Sequence, residues 1–281
     1  MFEHNLLITL FMLGTIISWG SSDFCGGFVT RRHNVYSVLL SAQLISLIPL
    51  GVFFFSLEFV MPNMTDLWFG SIAGLLSTVG LLFLYVGLAK GRMAIVSPIT
   101  AMTMNIIPIF ISILVDGVAT STQIVGFMIG FIAVWLLFHN GSRFIVTTVE
   151  LRFAILSGIV MSGSCIAIDQ GSGESVLWII IAARLASIPI LSLYIIHQHQ
   201  WQRPTAKLLP LIILISLFDV AGNYFFTTTM LMGRLDVTTV ASSLYPAITI
   251  LLAWLFLKEQ LKLQQWIGIV GVFTTIIMVT F

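Results

Sequence analysis

Apolar residues run along this chain in long blocks. They do not form the alternation of a half-buried strand or the single stripe of a surface helix. About 20 consecutive apolar residues carry a helix across a bilayer. At that length the blocks divide into ten predicted spans: 6–29, 35–57, 67–89, 93–115, 122–140, 152–170, 176–197, 208–231, 237–257 and 264–281. The connections are short and leave no room for an extramembrane domain. No segment shows the period of a membrane β-strand, so the predicted class is an all-α membrane protein. The opening Met1-Phe2-Glu3-His4 has no basic residue before a run too long for a signal-peptide core, so the first block reads as a retained helix.

Composition narrows the function classes. The 281 residues include 12 Lys/Arg and 11 Asp/Glu, so 8% are charged and 58% are hydrophobic. Mean hydropathy is +1.08. Soluble domains carry about 25% charged residues, which excludes a soluble enzyme, a disordered chain and a disulfide scaffold. A net charge of +1 with no basic cluster offers nothing to neutralise phosphates. The expected partners are therefore membrane lipid and a small-molecule substrate, with no nucleic acid. Cys25 and Cys165 fall in or near spans and are not expected to pair. His197 and His199 lack a third metal ligand, and no P-loop, zincin or G-x-S-x-G motif occurs. No cofactor is expected.

The cations sort by side. Arg31, Arg32, Lys90, Arg92, Arg143, Arg152, Arg203, Lys207, Lys258 and Lys262 fall in connections on one face, and Arg234 on the other. The positive-inside rule makes the basic face cytoplasmic, with both termini extracytoplasmic in the cytoplasmic (plasma) membrane.

The chain also aligns with itself at an offset of 142 positions, the separation of Gly91 from Gly233. Arg92 then meets Arg234, Gln123 meets Gln265, Gly126 meets Gly268, and Gly80 and Phe83 meet Gly222 and Phe225. With small gaps, Ala42-Gln43-Leu44 meets Ala183-Arg184-Leu185. Five spans per unit predict two inverted five-helix repeats, 1–145 and 146–281. Such repeats characterise secondary transporters, with the site near the midplane between them.

Ser243-Leu244-Tyr245-Pro246, the run to Lys258-Glu259-Gln260-Leu261 and Gln265-Trp266-Ile267-Gly268 resemble the C-terminal signature of EamA-type carriers. These carriers belong to the drug/metabolite transporter superfamily. Trp19-Gly20 and the stretch from Gly91 to Ser97-Pro98 resemble the first-half signature. The resemblance implies a ten-helix bundle that moves small metabolites by alternating access. It places the cavity among spans 1, 3, 4, 6, 8 and 9 and leaves span 7 peripheral.

Polar residues inside spans are costly and mark function. Ser216, Asp219, Asn223 and Thr227 share one face of span 8, and their repeat counterparts are Gly74, Ser77, Leu81 and Tyr85. Asp219 suits a proton, a cation or a substrate amine. It equally suits an ion pair with Arg184, which lies in span 7. Ser97, Thr100 and Thr103 in span 4 match Thr239, Ser242 and Tyr245 in span 9, beside Pro98, Pro108 and Pro246. Such hydroxyls bond either the helix backbone or a ligand, and interrupted helices at matched positions point to a carrier's site. Asn105, Ser22 and Trp19 complete the candidate set. Asp23 lies nearer the cytoplasmic end and is expected to be wetted. Glu259 is read as capping the last span. Small-residue pairs such as Gly70/Gly74 and Gly126/Gly130 predict close packing within one chain, giving a monomer or weak homodimer.

The function expected is secondary transport of a small metabolite, with export the direction the resemblance suggests and Asp219 the candidate for proton coupling. Uptake of a sugar or nucleoside is the alternative within that class. An integral-membrane enzyme or a structural subunit are the alternatives outside it.

Overall fold

The computed structural model describes residues 2–56, 61–138, 146–171, 174–258 and 260–280. Glu259 and Arg143 lie outside them. The helices are α1 (Phe2–Thr30), α2 (Val35–Ser56), α3 (Met64–Lys90), α4 (Met93–Val115), α5 (Ser121–Phe138), α6 (Thr148–Asp169), α7 (Val176–His197), α8 (Leu209–Met232), α9 (Leu235–Ser242), α10 (Pro246–Leu257) and α11 (Leu263–Thr280). No strand occurs among the described residues. Nine segments there are long and apolar enough to cross a membrane, with α9 and α10 counted together as one, and Ser121–Leu137 is a shorter apolar helix.

Local chemistry sets the helix ends. Asn63 accepts from the Thr65 N–H at 2.9 Å to start α3. Thr147 and Glu150 form a reciprocal capping box at the start of α6. Glu150 also accepts from the Arg92 side chain at 2.9 Å, tying the start of α6 to the start of α4. At the same end Arg31 donates to the Gly91 carbonyl, and His33 lies 3.1 Å from the Arg203 carbonyl. Arg234 lies at the opposite end, chelated by Asp236 and donating to the Gly117 carbonyl at 2.8 Å. These carboxylates hold the Arg92 and Arg234 guanidinium groups above their ordinary pKa.

Prolines act differently in α4 and at α9–α10. Pro98 and Pro108 sit inside one continuous α4, so the predicted interruption there is not seen. Pro246 does end a helix. It has no N–H to return to Ser242, and Leu244, Tyr245 and Ala247 instead donate three residues back. Thr249 donates to the Gly20 carbonyl across this break at 3.0 Å. A side chain at Gly20 would meet the Tyr245 carbonyl, so the glycine permits the approach of α1.

The most extensive packing is α3 on α6, α1 on α8, α5 on α11, α4 on α6 and α3 on α7. Gly70 and Gly74 let α3 approach the α7 backbone at Ile179 and Ala183, and Gly126 and Gly130 do the same for α5 and α11. The small-residue pairs thus serve packing within the chain. Outward side chains such as Phe55 and Val115 are largely exposed, as lipid-facing positions are.

Candidate functional site

A cavity lies between α1, α3, α4, α6, α7, α8 and the α9–α10 break. Trp19, Ser22, Ser77, Arg184, Asp219, Asn223 and Tyr245 of the candidate set all line it.

Its charged end is built by α7 and α8. Arg184 forms an ion pair with Asp219. Asn223, one turn on, donates to Asp219 Oδ1 at 3.1 Å. The pair is withdrawn from solvent, with side-chain exposures of 6% and 18%. The guanidinium of α7 therefore reaches the centre although its helix was expected to be peripheral. The polar face of α8 divides among three environments. Ser216 donates to the Ala42 carbonyl of α2, Asp219 and Asn223 face the cavity, and Thr227 faces a smaller adjoining one.

The aromatic wall follows from a glycine. A Cβ at Gly222 would lie 2.7 Å from Trp19 Nε1, so only glycine leaves room for the indole against α8. Phe226 packs on that indole with centroids 4.8 Å apart, and Tyr245 meets it edge-on at 6.2 Å.

Three candidates do not line this cavity. Thr100 donates to the Ala154 carbonyl of α6 at 3.2 Å. Ser242 bonds back to the Thr239 carbonyl at 3.0 Å. Asn105 donates to Ser243 Oγ at 2.6 Å, and its own Oδ1 is buried without a partner. For Thr100 and Ser242 a period of three identified the face but not the neighbour it meets.

Asp23 departs from expectation. It is 5% exposed rather than wetted, lines the cavity, and accepts a hydrogen bond from Ser97 at 3.3 Å. Distance along the chain suggested water, but the side chain turns into the interior, toward Ser97 of α4. Met104, Met161, Ser164, Cys165 and Phe226 are further lining residues that the sequence reading did not single out.

A signal for all of these but Met104 was present in the offset of 142. Trp19 and Met161, Ser22 and Ser164, and Asp23 and Cys165 are separated by it, and all line the cavity. So do Ser77 and Asp219, Leu81 and Asn223, and Leu84 and Phe226. The packing follows the same relation, because Met161 rests on Gly80 as Trp19 rests on Gly222.

The model of the EamA-like transporter family matches residues 6–139 and 149–281. An uncharacterized protein of Methanocaldococcus jannaschii is 36% identical over 74 residues, which are 26% of this chain and 54% of that protein. The chain thus spans about half the length of the curated relative it matches. A protein of known crystal structure superposes with a TM-score of 0.77 at 15% identity, covering 97% of this chain and 98% of the other. That likeness is one of fold.

Proposed function

Because the chain belongs to the EamA-like transporter family and is a multi-pass membrane protein, we propose that it is a secondary carrier that moves a small metabolite through the central cavity by alternating access. One observation carries this reading: six pairs of residues at one offset surround a single cavity. A cavity lined equivalently from two halves can open to either side as the halves rock against each other. Ten spans, arranged as inverted units 1–145 and 146–281, are the corresponding architecture. Basic connections on the cytoplasmic face of the cytoplasmic membrane and extracytoplasmic termini complete it, with export the direction adopted.

Proton coupling at Asp219 then requires release of Asp219 from Arg184 during the cycle, because the carboxylate already has a counter-charge. Counterflow in proteoliposomes tests the carrier. A solute carried by this chain exchanges saturably across the membrane, and Arg184→Ala lowers that exchange. Absence of saturable exchange for every class of metabolite sinks the carrier, and exchange undiminished in Arg184→Ala removes the ion pair from its mechanism.

A further inference from the structure

The paired positions around the cavity match in place but not in chemistry, and the mismatch falls on one wall. α1 and α8 contribute Trp19, Asp23, Asp219 and Phe226. The positions 142 away, on α6 and α3, are Met161, Cys165, Ser77 and Leu84. Arg184 and Asp219 neutralise each other. Asp23 forms no ion pair among the described residues and has a single side-chain donor, Ser97. With Asp23 ionised, the lining therefore carries a net charge of −1, next to the rings of Trp19, Phe226 and Tyr245. A carboxylate held out of water without a partner is costly. Aromatic faces attract ammonium groups within about 6 Å of the ring centre. An anion meets no net positive charge here, because Arg184, the one cation among the described lining residues, is neutralised by Asp219, although its Nε–H has no acceptor among the described residues.

We propose that the cavity takes a small amphipathic amine. Its ammonium group sits at Asp23 beside the indole of Trp19, and its apolar body lies on the Met161 and Leu84 wall. This names the substrate class of the carrier proposed above and rests on that reading.

The test uses the full chain in lipid nanodiscs and three probes that share one body and differ in charge: tyramine, tyrosol and 4-hydroxyphenylacetate. Calorimetric titration and the rise in unfolding temperature report binding. Tyramine is expected to bind at least about tenfold more tightly than tyrosol, and the acid most weakly. Asp23→Asn keeps the shape and an acceptor for Ser97, and brings tyramine down to the affinity of tyrosol. Asp23→Glu restores the preference. The proposal is overturned if the acid binds as tightly as tyramine, or if the preference survives in Asp23→Asn. It is also overturned if tyramine binds no better than tyrosol. The comparison among probes needs no variant, so a misfolded substitution leaves it decisive. Amine binding without counterflow of any solute removes the carrier and keeps this site. Counterflow of a neutral or anionic solute without amine binding removes this site and keeps the carrier.

Discussion

Two helix crossings in this molecule are built alike. At one, the indole of Trp19 on α1 rests on Gly222 of α8. At the other, the thioether of Met161 on α6 rests on Gly80 of α3. Each crossing is buttressed from the preceding helix of its half, where Arg184 of α7 reaches Asp219 and Gln43 of α2 donates to Thr78 at 2.8 Å. One crossing is rigid, aromatic and charged, and the other is flexible and neutral. Backbone approach is set by the glycines, which are common to both, so the shape of the fold does not depend on the side chains that differ. Those side chains are free to decide what the cavity holds.

The largest expected difference lies in the buttresses. Arg184→Ala leaves Asp219 without its counter-charge, and breaking a buried pair costs about 3–5 kcal/mol. The lower end applies, because the Asp219 side chain keeps 18% exposure. Gln43→Leu removes neutral hydrogen bonds to Thr78 and from Ser187, at about 0.5–1.5 kcal/mol each. Chemical unfolding in detergent ranks the two. Equal losses would erase the distinction between a charged and a neutral buttress.

The glycines themselves give the next effect. Gly222→Ala drives a methyl against a rigid ring and should cost about 1–3 kcal/mol, as overpacking does. Gly80→Ala meets Met161 Cγ at 2.6 Å, an atom that turns only about the first side-chain bond, although the thioether beyond it can repack. It should lose less than Gly222→Ala. A greater loss at Gly80 than at Gly222 would show that rigidity resides at the α3–α6 crossing instead.

What the sequence reveals of this arrangement depends on the kind of signal. Asp219 and Arg184 are legible because a charge within an apolar block has few explanations. Trp19 and Tyr245 are legible because each adjoins a small residue or proline that lets helices meet or breaks them. Asp23 is misjudged because its position along span 1 does not show that its side chain turns inward, toward Ser97 of α4. Thr100 and Ser242 turn to backbone carbonyls because helical period gives a direction without a partner, and the mid-span position of Asn105 does not name Ser243 as its neighbour. The break after α9 follows from Pro246, whereas α4 absorbs both of its prolines, and proline content alone does not separate the two outcomes. Pairing at the offset of 142 is the signal with most left in it. Applied to Trp19, Ser22 and Asp23, it points to Met161, Ser164 and Cys165 without coordinates.

The smallest predicted effect tests the likeness rather than the difference. Ser22 donates to the Ile215 carbonyl at 3.4 Å, and Ser164 donates to the Ala73 carbonyl at 2.9 Å. These bonds are themselves related by the offset, joining α1 to α8 and α6 to α3. Hydrogen bonds between membrane helices average about 0.6 kcal/mol. Ser164→Ala should therefore lower unfolding free energy by about that amount, and Ser22→Ala by less, because its bond is longer. Flux should order them the other way. Ser22 adjoins Asp23 on the charged wall, where losing a hydroxyl dipole changes how a cation is held, whereas Ser164 adjoins the neutral Cys165. Paired measurements of stability and counterflow on the two variants read both orders at once. If Ser164→Ala impairs flux more than Ser22→Ala, the neutral wall is the one that recognises the solute.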